Sequence, residues 1–184
     1  LTMATKKKVG IKVPTKNEIL KKYGSMIIQA SDTKEPGLWL PSTFFNLNYT
    51  LGGGFPWGKV TEIAGEESSG KTLIALNAAY ACQQLGGSVI WVDAEQSWMN
   101  SWAELNGIDP NKVTVIRDTR IEYISDAVAD VAIYLRSQLV NNEPILLVVD
   151  SVAAIDCSDN IDSKMVDGKA EMGGRAKALY KYFR

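Results

Sequence analysis

The 184-residue sequence contains no histidine. That absence removes Ser-His-Asp and Cys-His nucleophile chemistry and any imidazole metal site. Cysteine is nearly as scarce: Cys82 and Cys157 are the only two, too few for a disulfide framework or a four-thiolate zinc site. They read as reduced packing residues of a cytosolic protein. No apolar run approaches the roughly 18 residues needed to cross a bilayer. Lys6-Lys7-Lys8 is not followed by the apolar stretch of a secretory signal, so export and membrane partners are not expected. A charge excess is missing too, because 20 Lys and Arg meet 21 Asp and Glu for a net of −1. Any nucleic-acid partner must therefore be sought in local charge.

What is present is a globular composition, 46% hydrophobic and 22% charged, that can bury a core. Charge is unevenly divided: residues 1–35 hold eight lysines against Glu18, Asp32 and Glu35, a net of +5, leaving −6 for the rest. Residues 1–13 lack apolar periodicity and read as a basic arm. Pro14-Thr15 opens a helix predicted to run to Ala30, with Ile19, Leu20, Tyr23, Ile27 and Ile28 near one face. Lys34-Glu35-Pro36-Gly37 punctuates the chain, so a boundary is predicted between an N-terminal segment, 1–35, and a core, 36–184.

In the core, apolar runs at 60–64, 88–93, 113–117 and 145–150 alternate with helical patterns at 71–85, 97–106 and 123–140. Continuous apolar strands alternating with helices predict an α/β fold, a mostly parallel sheet with helices on both faces.

Gly65-Glu66-Glu67-Ser68-Ser69-Gly70-Lys71-Thr72 fits G-x-x-x-x-G-K-[ST] between a predicted strand and a predicted helix. Phosphate oxygens need many convergent donors, and glycines let backbone N–H groups close around them at a positive helix end. Lys71 is placed to reach the β- and γ-phosphates of ATP, and Thr72 to ligate Mg²⁺. An ordinary Gly-Ser turn is the plainer alternative. Asp150 ends the most apolar strand and is the candidate second Mg²⁺ anchor, through water in the way that hydrated cation is usually held, or else a strand-end cap. Glu95, just beyond the strand ending at Asp93, is the candidate for orienting the attacking water, or a helix N-terminal acid favoured by the dipole.

Gly65–Thr72, Val92-Asp93-Ala94-Glu95 and Leu147-Val148-Val149-Asp150-Ser151-Val152-Ala153-Ala154 together resemble the ATPase core of RecA-type recombinases. The approach, Leu51 to Ile63, is similar as well, and the likeness runs from about Ser42 to Arg184. The resemblance implies a P-loop RecA-like core, filaments on single-stranded DNA, strand exchange in recombination and repair, and Glu95 with Lys71 as the catalytic pair. It implies a bacterial or phage-infected cytoplasm, and the N-terminal segment suggests a phage-encoded source. Trp102 matches a position that stacks on adenine, although Trp98 and Trp102 at i, i+4 could simply pack together. Glu66 departs from the family, where proline is frequent, and adds negative charge beside the phosphates.

Residues 164–184 hold six basic residues and two acids, the local patch that the net charge conceals. By resemblance, residues 157–172 match a first DNA-binding loop with Met172 as an apolar wedge, and Lys177, Tyr180 and Arg184 match backbone contacts on the next helix. Arg175 and Lys181 complete the candidate DNA set. The helix in 15–30 is the expected polymerisation arm, alternatively a basic tail touching DNA. The family core continues past the position of Arg184 with a γ-phosphate sensor, a second DNA loop and residues reaching the neighbour's nucleotide. DNA-stimulated ATP turnover by these residues alone is accordingly expected to be weak or absent. A helicase or ring motor with the same core, or a regulatory module with a structural nucleotide, are the competing readings.

Overall fold

The computed structural model describes residues 14–27 and 37–158, with 176 and 179–181 beyond them. The chain divides into two units, residues 1–37 and 38–184. In the first, α1 (Lys16–Tyr23) opens with a capping box. The Thr15 hydroxyl accepts from the Glu18 N–H at 3.3 Å, and the Glu18 carboxylate accepts from the Thr15 N–H at 2.8 Å. The helix predicted to reach Ala30 stops at Tyr23. Gly24 takes φ +52° and ψ −129°, a conformation closed to other L-residues, and a 3₁₀ turn over Gly24–Met26 follows. Residues 28–30 lie outside the described residues. Leu20, Tyr23, Met26 and Ile27 leave an exposed apolar set.

The second unit opens with a small antiparallel pair, β1 (Trp39–Leu40) against β2 (Phe55–Pro56), flanking α2 (Phe45–Leu51). Strands of two residues are too short to produce a periodic signal, and the sequence pattern predicts neither. Then come α3 (Lys71–Gln84), β3 (Ser88–Asp93), α4 (Asn100–Leu105), β4 (Val113–Ile116), α5 (Ile121–Gln138) and β5 (Ile145–Asp150). The three long strands form a parallel sheet in the order β4-β3-β5, the α/β class expected.

Alternation along each strand sorts side chains to two faces. Val89 and Trp91 of β3, Val148 of β5 and Leu76, Ala79 and Cys82 of α3 make one cluster. Val92 of β3 joins Ile121 and Ile124 of α5 and Ile155 in the other. The central strand is buried almost throughout, which is why its sequence is unbroken Val-Ile-Trp-Val. Cys82 sits under this layer, and burial pushes its thiol up to about 11. Among the described residues no helix is long and apolar enough to cross a membrane.

One strand prediction fails. Residues 60–64 form no strand, and Val60 is 96% exposed. The three long strands order as β4-β3-β5, so residues 60–64 have no ladder partner among the described residues. With no strand beside it the segment gains no ladder hydrogen bonds, and Val60 is left uncovered. The phosphate-loop motif therefore follows irregular chain and opens a helix.

Candidate active site

Gly65 to Gly70 carry the chain into α3, and Gly70, the N-cap, takes φ +91°. A residue with a Cβ would be strained there. Ser68 also sits at positive φ, +59°, a conformation that costs a non-glycine residue about 1–2 kcal/mol. Such strain concentrates where a loop is shaped for a ligand. The Lys71 ammonium donates to the carbonyls of Gly65 at 3.1 Å and Glu66 at 2.6 Å, closing the loop over the positive end of α3.

One residue on, the Thr72 hydroxyl donates to the Asp150 carboxylate at 2.8 Å. Residues 78 apart in sequence meet there, Thr72 from the first turn of α3 and Asp150 from the C-terminal end of β5, where it lies opposite Asp93 of β3. Glu95 arrives at the same edge, where its Oε1 accepts from the Ser151 hydroxyl at 2.6 Å. The predicted residues Lys71, Thr72, Asp150 and Glu95 are thus gathered at one sheet edge. Ser151 was not foreseen as part of it, its only signal being its place after a strand-end aspartate. Among the described residues no group of three or more Cys, Asp or Glu could cage a metal. A hydroxyl beside one carboxylate suits Mg²⁺, which takes one or two protein ligands and keeps waters and phosphate oxygens for the rest.

The sequence marks Asp93 only as a strand end, yet its side chain is fully buried. Its carboxylate accepts from the backbone N–H of Ser97 at 2.8 Å and of Trp98 at 3.1 Å, and pairs with Arg117 at 3.2 Å. Arg117 also donates to the Trp98 carbonyl at 3.2 Å, so it turns off the sheet where a strand to 117 was predicted. These bonds fix the turn that carries Glu95 and Gln96, the latter at φ +56°. Removing a buried carboxylate strands its donors. Asp93→Ala should cost about 3 kcal/mol, a fall of roughly 10 °C in Tm for a chain of this length. Thermal unfolding followed by circular dichroism checks this, and a shift of less than about 2 °C would show that the turn does not depend on Asp93.

The same turn delays α4, which starts at Asn100 instead of near Ser97. Trp98 consequently lies off the helix and packs its ring on Trp91, with centroids 5.0 Å apart and planes at 57°. It is not a helical partner of Trp102, contrary to the packing alternative. Trp102 is 45% exposed and lines a small cavity with Thr72, Met99 and Asp150. Of the candidate DNA residues, Tyr180 and Lys181 are helical and exposed, beside Leu179, which packs on the second core cluster. Met172, Arg175, Lys177 and Arg184 lie outside the described residues.

The family model described as the RecA N-terminal domain matches residues 12–184. The chain belongs to the RecA family. Among RecA relatives, Protein RecA of Malacoplasma penetrans is 37% identical over 165 residues, 89% of this chain and 47% of that protein. Protein RecA of Bacteroides thetaiotaomicron is 31% identical over 185 residues, 97% of this chain and 54% of its own. Protein RecA of Mycoplasma mycoides is 38% identical over 139 residues, 73% of this chain and 38% of its own. The chain thus spans about half the length of the RecA proteins it matches.

Proposed function

We propose that this chain is the nucleotide-binding core of an ATP-dependent DNA recombinase that assembles on single-stranded DNA for homologous recombination and repair. The observation that carries the reading is the Thr72–Asp150 hydrogen bond at 2.8 Å beside the loop closed by Lys71. In this reading the backbone N–H groups of 65–72 and the Lys71 ammonium bind the triphosphate. Thr72 and Asp150 would hold Mg²⁺, which would supply charge neutralisation on the phosphate oxygens. Glu95 accepts a hydrogen bond from the attacking water and orients it toward the γ-phosphate. The Asp93 clamp and the Trp91–Trp98 pair hold the segment between Glu95 and Trp102, whose indole stacks on adenine.

Self-assembly is assigned to the apolar and basic residues within 15–30. DNA contact is assigned to Met172, Arg175, Lys177, Tyr180, Lys181 and Arg184. The basic charge at both ends of the sequence supports these assignments, since phosphate contacts supply much of a DNA binder's affinity.

Binding of a fluorescent ATP analogue in Mg²⁺, followed by single-stranded DNA titrated at rising salt, tests the reading. Saturable nucleotide binding is expected, weakened about tenfold by Trp102→Ala, because base–aromatic stacking is worth about 1–3 kcal/mol. DNA binding should fall steeply with salt. A chain that binds nucleotide and ignores DNA at low salt would reduce the proposal to a nucleotide-binding module.

A further inference from the structure

Glu95 lies on an exposed turn, and a glutamate there samples many rotamers unless something selects one. The Ser151 hydroxyl is in place to do so, donating its single proton to Glu95 Oε1 at 2.6 Å. We infer that Ser151 is a positioning residue for the hydrolytic step, holding the Glu95 carboxylate at the phosphate edge. This rests on the reading of Glu95 as the water-orienting group.

Three observations make the donor a fixed one. The Asp150 carbonyl accepts from the Ala94 N–H at 3.1 Å, tying the end of β5 to the turn that carries Glu95. The Ser151 carbonyl accepts from the Ala154 N–H at 3.1 Å, which anchors the following 3₁₀ turn, Val152–Ala154. Asp150 itself is held by Thr72. Ser151 is therefore pinned on both sides, and its hydroxyl reaches Glu95 from a backbone already locked to the phosphate loop. One carboxylate oxygen is occupied by this bond, and the second keeps its lone pairs for a water proton. An ionised acceptor makes such a bond about twice as strong as one between neutral groups. A positioned base outperforms a free one because the reacting geometry is set before the reaction.

The test is single-turnover ATP hydrolysis by the full chain, with nucleotide affinity measured separately. Ser151→Ala is expected to slow hydrolysis about tenfold while affinity stays within about twofold. Ser151→Thr keeps the hydroxyl on an extended backbone that suits threonine, φ −118° and ψ +156°, and should recover most of the rate. The Ser151→Ala, Glu95→Gln double variant should be no slower than Glu95→Gln alone, because the serine acts through the glutamate. Wild-type turnover in Ser151→Ala, a loss carried wholly by affinity, or additive losses in the double variant would each overturn the inference. If Glu95→Gln itself hydrolyses ATP normally, the assignment of Glu95 fails instead. A slow Glu95→Gln beside an unaffected Ser151→Ala overturns only the role of the serine.

Discussion

Lys71→Ala is expected to abolish measurable nucleotide binding while leaving the fold intact. The side chain serves two partners in turn. In the structure its ammonium closes the loop by donating to the carbonyls of Gly65 and Glu66. In the proposed reading the same donors would turn to the phosphates, where each hydrogen bond to a charged group is worth about 1.5–3 kcal/mol. Two such bonds set the loss at about 3–6 kcal/mol, a drop in affinity of at least about a hundredfold. Glu66 and Glu67 make the loss more severe, because without the lysine the loop brings side-chain carboxylates and no side-chain cation to a polyanion. Titration with labelled ATP gives the affinity, and circular dichroism gives the fold. Unchanged affinity in a folded variant would refute the phosphate-loop assignment.

Glu95→Gln should give the opposite pattern: nucleotide retained and hydrolysis slowed by about 10²–10⁴-fold, the range by which a positioned general base accelerates a reaction. The substitution is a clean one at this site. The amide oxygen of glutamine still accepts from the Ser151 hydroxyl, so the geometry survives while the carboxylate's basicity is lost. Phosphate release measured beside nucleotide affinity separates the two effects. Turnover at the wild-type rate would exclude Glu95 as the water-orienting group.

The parts of the fold visible in the sequence are those whose residues face only one kind of environment. The core strand Ser88–Asp93 read correctly because continuous apolar character follows from a strand covered on both faces, and Ile145–Asp150 read correctly on the same apolar run although Leu147 is exposed. The segment 60–64 misled for the same reason, since β-branched residues suit a strand and whether one forms depends on a ladder partner that local sequence does not specify. The site was legible where chemistry demands a fixed spacing, as in Gly65–Thr72. It was not legible where residues are recruited through space. Asp93 and Arg117 are 24 positions apart, and nothing near either announces that one neutralises the other. Trp98 shows the same limit on a smaller scale. Its spacing from Trp102 suits a helix, but the bonds that Asp93 makes to the preceding turn hold it off the helix and onto Trp91.

The Thr72–Asp150 bond also fixes when the site comes into being. Thr72 stands in the first turn of α3, and Asp150 ends β5, which pairs in register with Ser88 to Asp93. Parallel pairings of such long sequence separation carry a large loop-closure cost and are made late in folding. A chain in which β5 has not docked has the Gly65–Thr72 loop and lacks the Asp150 carboxylate beside it. In the proposed reading, a metal–nucleotide complex that needs both groups would recognise only the folded sheet. At a hundred times its Kd it would add about 2.7 kcal/mol to the native state and nothing to the chain still searching for it.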